Sequence, residues 1–176
     1  MAIAQDAQGE DVVTPWLNEA GVKFPVLLDR RNEIGKLLSV KYVPVGILLD
    51  SDGKFVRNVG MVDIRDDRFK DELEHWVRRQ EVPEAWAASG CVDISDSTEV
   101  TREEHLADEA FQRAVEHLHL GRRDDAIREM NVAVIHDPEN WLIRKQLWAI
   151  EAPGAFYSGD VDYDWQKDRL RQQNKR

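Results

Sequence analysis

The chain has 176 residues, of which 42% are apolar and 33% charged, with a formal net charge of −10. That length suits one moderate domain or a small domain with an appendage, and no run of about 18 apolar residues is present to span a membrane. An acidic chain without a concentrated basic stripe is a poor binder of phosphate backbones, so nucleic acid is excluded as a partner.

The charge is uneven. Residues 1–80 carry 12 Lys+Arg against 14 Asp+Glu, and residues 81–176 carry 12 against 20. The start, Met1 to Asp6, lacks a basic region followed by a long apolar one and does not read as a signal peptide. The single cysteine, Cys91, cannot form an intramolecular disulfide. A reducing, cytoplasmic setting is the simpler expectation.

In chain order, Ala2 to Gln5 reads as a short strand. Val12, Val13, Trp16, Leu17 and Ala20 share one helical face, with Gly21 placed to end that helix. Phe24 to Leu28 is a short extended run closed by Asp29. Ile34, Leu37 and Leu38 suit a second helix. Val45–Leu49 and Phe55–Val59 read as two strands around the turn tetrad Asp50-Ser51-Asp52-Gly53. Pro44 opens the first of them, one of the few places where a sheet tolerates proline. Phe69, Leu73, Trp76 and Val77 form the stripe of a third helix, about Asp66 to Arg79. Strands separated by helical crossovers predict a three-layer α/β arrangement with an antiparallel pair at the hairpin.

Residues 81–104 read as a linker, with Trp86 and Cys91 as apolar exceptions placed to pack on a neighbour. Residues 105–151 are predicted helical, and residues 152–176 form a polar tail whose end, Lys167–Arg176, frays. Within Ala107 to Asn140 the small residues Ala114, Gly121, Ala126 and Ala133 and the closing Pro138 mark two touching antiparallel helices. This stretch resembles one tetratricopeptide repeat, with Met130 where a large aromatic is usual and His117 in place of the common Tyr or Leu. A single repeat cannot bury both its faces. It is therefore expected to dock on the α/β part or on another molecule, and Trp141, Leu142, Leu147 and Trp148 are too many large apolar groups for an exposed helix.

Residues 1–80 resemble the thioredoxin-like redoxins. The residues that carry the likeness are Phe24-Pro25-Val26-Leu27-Leu28-Asp29, the Val43-Pro44 step and the hairpin from Asp50 to Lys54. The resemblance implies a cis peptide bond before Pro44 and a substrate-binding backbone at Val43. It also implies a redox Cys-x-x-Cys or a single peroxidatic Cys near the start of the domain, and this sequence has neither. The residue after Pro44 is commonly Thr in the family and is Val45 here.

Other chemistry is weakly signalled. Cys91 has no basic neighbour in sequence to activate a thiolate and reads as a small apolar filler. Asp160-Val161-Asp162-Tyr163-Asp164 imitates the start of a calcium loop. Trp165 stands where that loop needs Gly and Arg171 where it needs Glu, so a solvated acidic turn is expected. His117 and His119 point to different sides of a helix, and His105, His117 and His136 lack metal spacing. Trp141, Trp148 and Trp165 read as core. No Gly-rich phosphate loop, Ser nucleophile elbow or His-Glu-x-x-His motif is present. No metal or cofactor is expected.

The resemblance also implies a missing central strand between those matching Ala2–Gln5 and Val45–Leu49. Each unpaired buried peptide group costs on the order of 1–3 kcal/mol. Three outcomes are open: the sheet closes with a changed strand order, another chain fills the slot, or the sequence is a shortened version of a longer protein. The second outcome implies a homo-oligomer joined through open strand edges.

The expected fold is α/β: an incomplete thioredoxin-like sheet with flanking helices (1–80), a linker (81–104), a tetratricopeptide-like helical unit (105–151) and a tail (152–176). The expected function is binding of a protein or peptide beside Val43 and Pro44 by a redoxin relative without its dithiol centre. The alternative is an enzyme. It would be a thiol-disulfide oxidoreductase or peroxidase whose cysteines lie in a longer form, or one whose chemistry the motifs do not reveal.

Overall fold

A computed structural model describes residues 1–87, 100–159 and 162–173. The fold is mixed and helix-rich with small sheets, which is compatible with an α/β thioredoxin-like fold. The chain divides into two compact units, residues 1–34 with 100–176, and residues 35–99.

In the first unit, β1 (Ala2–Ala4) lies parallel to β2 (Val26–Leu28), with Ile3 opposite Leu27. The crossover between them is α1 (Glu10–Glu19), the connection that a parallel pair requires. Gly21, at φ 58°, takes the left-handed conformation just past that helix, as its position predicts. Asp29 then receives the Glu33 and Ile34 amides at 2.8 and 2.9 Å and starts α2 (Glu33–Leu37).

The core of this unit is helical. It comprises α5 (Arg102–His119), α6 (Arg123–His136) and α7 (Trp141–Glu151). Thr101 opens α5 with a capping box: its hydroxyl accepts the Glu104 amide at 3.1 Å, and the Glu104 carboxylate accepts the Thr101 amide at 3.0 Å. Gly121, at φ 71°, makes the turn between α5 and α6. Ala107, Ala110, Ala114, Ala126 and Ala133 are fully buried. These small side chains let the two backbones approach, with Met130 and Phe111 filling the rest of the seam. Arg123, at the start of α6, donates through Nε to the Ile150 carbonyl at 3.2 Å and so serves the orphan acceptors at the end of α7.

Residues 152–173 differ from a polar tail. They contain α8 (Gly154–Tyr157) and α9 (Tyr163–Gln173). Phe156, Trp165 and Leu170 pack on the core, and Trp148 meets Trp165 edge-on at 6.1 Å. Three apolar groups spread over 15 positions are too sparse for a periodicity signal, yet each finds a site on α7 or its neighbours. Asp160 and Val161 lie outside the described residues, so the calcium-loop imitation is described only from Asp162 onward. Asp162 accepts the Trp165 amide at 2.8 Å and caps α9.

The helices share their core with the N-terminal segment. Ala7 is buried in the same apolar cluster as Leu147 and Trp148. Gln146 of α7 accepts the Ala7 amide at 2.8 Å and donates to the Gln5 carbonyl at 2.9 Å. The helices of residues 102–151 and the N-terminal segment thus share one compact unit.

The second unit holds β3 (Val45–Gly46) antiparallel to β4 (Gly60–Met61), then α3 (Asp67–Arg79) and α4 (Glu84–Ala87). β1 with β2 and β3 with β4 are separate two-stranded sheets, so no wider sheet is formed among the described residues. The hairpin arms are shorter than expected. Leu49 bridges Phe55 in isolation, and the ladder resumes only where Gly46 faces Gly60. The register of the arms changes between these two points. Part of the expected linker is ordered: Trp86 is buried against Phe69 and Trp76, and its indole donates to Glu72 at 2.8 Å. Cys91 lies outside the described residues.

Candidate functional site

The peptide bond between Val43 and Pro44 is cis, in agreement with the redoxin resemblance. The step leads directly into β3. Tyr42, Val43 and Pro44 are exposed in succession, and Val43 retains 42% of its surface. Among the described residues Val43 enters no hydrogen bond. Its N–H and C=O therefore have no partner among the described residues. Three consecutive exposed residues, two of them large and apolar, offer contact surface on either side of that backbone.

The strand behind them is tightly held. Gly46 faces Val62 so closely that an added Cβ would lie 2.5 Å from Val62 Cγ1. The turn beyond is organised by one carboxylate: Asp50 accepts the amides of Asp52 and Lys54, both at 2.9 Å. Gly53, at φ 78°, supplies the left-handed residue of that turn. Val40 and Val56 are buried. Arg57 sits 5.5 Å from the Phe69 ring centre and donates to the Met61 carbonyl at 3.3 Å, tying β4 toward α3.

This element holds an exposed phenol, Tyr42, and backbone groups. It contains no nucleophile paired with a base, which covalent catalysis needs.

A second polar constellation, invisible in the sequence, lies in the first unit. Tyr157 donates its hydroxyl to Asp6 Oδ2 at 2.6 Å, and Gln8 Nε2 donates to Tyr157 Oη at 2.9 Å. Burial raises the Asp6 pKa above the ordinary 3.8, against the opposing hydrogen bonds from Tyr157 and Gln8 and the charge of Arg30. Burial also raises the Tyr157 pKa, helped by the neighbouring Asp6 charge. The arrangement keeps the phenol protonated as a donor. No local motif announces it, because its members are drawn from the two ends of the chain.

The histidines are dispersed. His105 lies 3.4 Å from Glu109, His117 4.0 Å from Asp125 and His136 2.7 Å from Glu103. Among the described residues no group of three or more His, Cys, Asp or Glu side chains is placed to hold a metal. No helix of the described residues is long and apolar enough to cross a membrane.

No protein-family model matches the chain, and no solved structure matches it. Its sequence is similar to proteins named thiol-disulfide oxidoreductase ResA. It is 32% identical over 78 residues to those of Bacillus thuringiensis subsp. konkukian and Bacillus cereus, and 33% identical to that of Bacillus anthracis. The match takes in 44% of this chain and 42% of each relative, so the chain spans less than half the length of the curated relatives it matches. These partial relatives support a thioredoxin-like family for the chain.

Proposed function

We propose that this chain is a thioredoxin-like module that binds an extended protein or peptide segment at Val43 and Pro44. The observation that carries the reading is the exposed Tyr42-Val43-Pro44 run with an unpaired Val43 backbone at the mouth of β3. Strand-like addition of a peptide to such a backbone draws affinity from main-chain hydrogen bonds and specificity from flanking side chains. The α5–α6 hairpin is read as a tetratricopeptide-like unit, supported by Gly121 at the turn and the buried alanines of its seam.

A reduced, alkylated, unfolded polypeptide is the probe for the binding reading. Titrated into the isotope-labelled 176-residue chain, it is expected to shift the Tyr42, Val43 and Val45 amides in a saturable way. Val43→Asp is expected to weaken binding about tenfold, the scale of one lost apolar contact plus a repelled charge. Saturable binding that leaves these amides unmoved, or no binding at all, overturns the reading.

A second reading is favoured by the name of the relatives. We propose that the same module serves a thiol-disulfide oxidoreductase or peroxidase whose catalytic cysteines belong to a longer form. Reduction of insulin by dithiothreitol tests it. A longer form carrying Cys-x-x-Cys is expected to accelerate the reaction, and the 176-residue chain is expected to leave the uncatalysed rate unchanged.

A further inference from the structure

We infer that the cleft between the Arg30-Arg31 turn and the end of α5 binds an oxyanion group, a carboxylate or a phosphate. The cleft has a volume of about 280 Å³ and is lined by Arg30, Arg31, Val115, Glu116 and His119. That is just under the roughly 300–1,000 Å³ typical of sites for drug-sized ligands, and it suits a single anionic group.

The turn that presents the two arginines is fixed from several sides. Asp29 holds the Glu33 and Ile34 amides. Asn32 is buried in the left-handed region at φ 56°, and its side chain accepts from Gln5 Nε2 at 2.9 Å. Gln112 of α5 donates to the Arg31 carbonyl at 2.9 Å, which ties the turn to the helix that forms the other wall. The backbone that carries the two guanidinium groups is therefore held in place before any ligand arrives.

The guanidinium groups are poorly satisfied. Arg30 reaches the Ala7 carbonyl only at 3.4 Å, and its Nε is shielded from water without a hydrogen-bond partner. It lies across Gly9, where an added Cβ would come within 3.0 Å of Nε. Glycine at this position, φ 99°, leaves the room that the Arg30 side chain occupies. Arg31 has Glu116 at 3.8 Å, too long for a charge-assisted hydrogen bond. Arg31 thus faces Glu116 across the cleft, Arg30 lies in the field of the Asp6 carboxyl behind it, and the His119 imidazole stands beside them. Neither guanidinium makes a short charge-assisted bond within the chain, which leaves N–H donors for an anion in the cleft. The planar fork of arginine matches carboxylate and phosphate alike.

The test uses the 176-residue chain, with inorganic phosphate and succinate as separate probes at constant ionic strength. The arginine Nε–H resonances are the readout. Saturable shifts of the Arg30 and Arg31 signals are expected, and the tighter of the two probes tells which oxyanion the cleft prefers. Arg31→Gln is expected to weaken the preferred probe about tenfold, the scale of a lost charge-assisted bond. Its exposed side chain makes this variant safe for folding, and an unchanged melting temperature verifies that. Glu116→Gln is expected to tighten binding about two- to fivefold by removing the competing carboxylate, the scale of an exposed ion pair. Absence of saturable shifts with both probes overturns the proposal. So does binding that Arg31→Gln leaves unchanged, which would mark an adventitious ion only.

Discussion

Tyr157 donates its hydroxyl to the Asp6 carboxylate over 2.6 Å, joining positions 151 residues apart in the chain. With Gln8 and Gln146 it forms the polar seam by which the loop after β1 is held against α7 and α8. The seam explains why residues 1–34 and the C-terminal helices form one compact unit. An apolar core centred on Trp148 and Leu147 supplies the adhesion, and the seam sets where Ala7 enters it.

The Asp6 carboxyl makes stability depend on pH. Its native pKa is raised, so the native state holds this proton in a range where the unfolded chain has released it. The contribution is fully present below the ordinary value of 3.8 and is lost as pH rises through the native value. Asp6→Asn removes the dependence. Denaturant unfolding at pH 4, 5, 6 and 7 is expected to show the variant gaining on the wild type as pH rises, and a difference that shrinks instead would contradict this account.

Tyr157 acts at the other end of the scale. Its raised pKa means that, above the ordinary value of 10.0, the unfolded chain ionises while the native phenol does not. Stability is therefore lost as pH rises beyond 10.0. Tyr157→Phe is expected to flatten that loss, and at neutral pH to cost about 1–3 kcal/mol for the stranded Asp6 acceptor. Unfolding free energies at pH 7, 10 and 11 are the measurement.

Gln146→Leu tests the bridge between α7 and the N-terminal loop. The Ala7 amide and the Gln5 carbonyl would both lose their partner, the first of them in a buried setting. A loss of about 1–3 kcal/mol is expected, with faster hydrogen exchange at the Ala7 amide. An unchanged exchange rate would show that the apolar contacts of Ala7 hold the loop without it.

Gly46→Ala tests the packing behind the candidate binding strand. The new methyl would meet Val62, whose branched side chain has few rotamers to yield with. Destabilisation of about 1–3 kcal/mol is expected from overpacking. Gly21→Ala is the comparison: nothing lies within 4 Å of its Cβ position, and only the left-handed backbone at φ 58° opposes it.

Local chemistry made much of this protein readable from its sequence. Gly21 and Gly121 end helices, the Asp50 to Gly53 tetrad turns the chain, and the stripe of Phe69, Leu73 and Trp76 marks α3, because each signal acts within a few residues. The cis bond before Pro44 was legible through family resemblance. The helices in 152–173 were not, because their apolar residues are too sparse to make a periodic face and are ordered by contacts with α7. The hairpin arms were over-extended for a related reason: the aromatic and β-branched residues of Phe55–Val59 suit a strand, and only the three-dimensional path decides which of them meet. The Asp6–Tyr157 pair and the Arg30–Arg31–His119 cleft were decided by tertiary structure alone. A hydrogen bond or an ion pair depends on distances of a few ångströms, and residues far apart in a sequence carry no mark of having been brought that close.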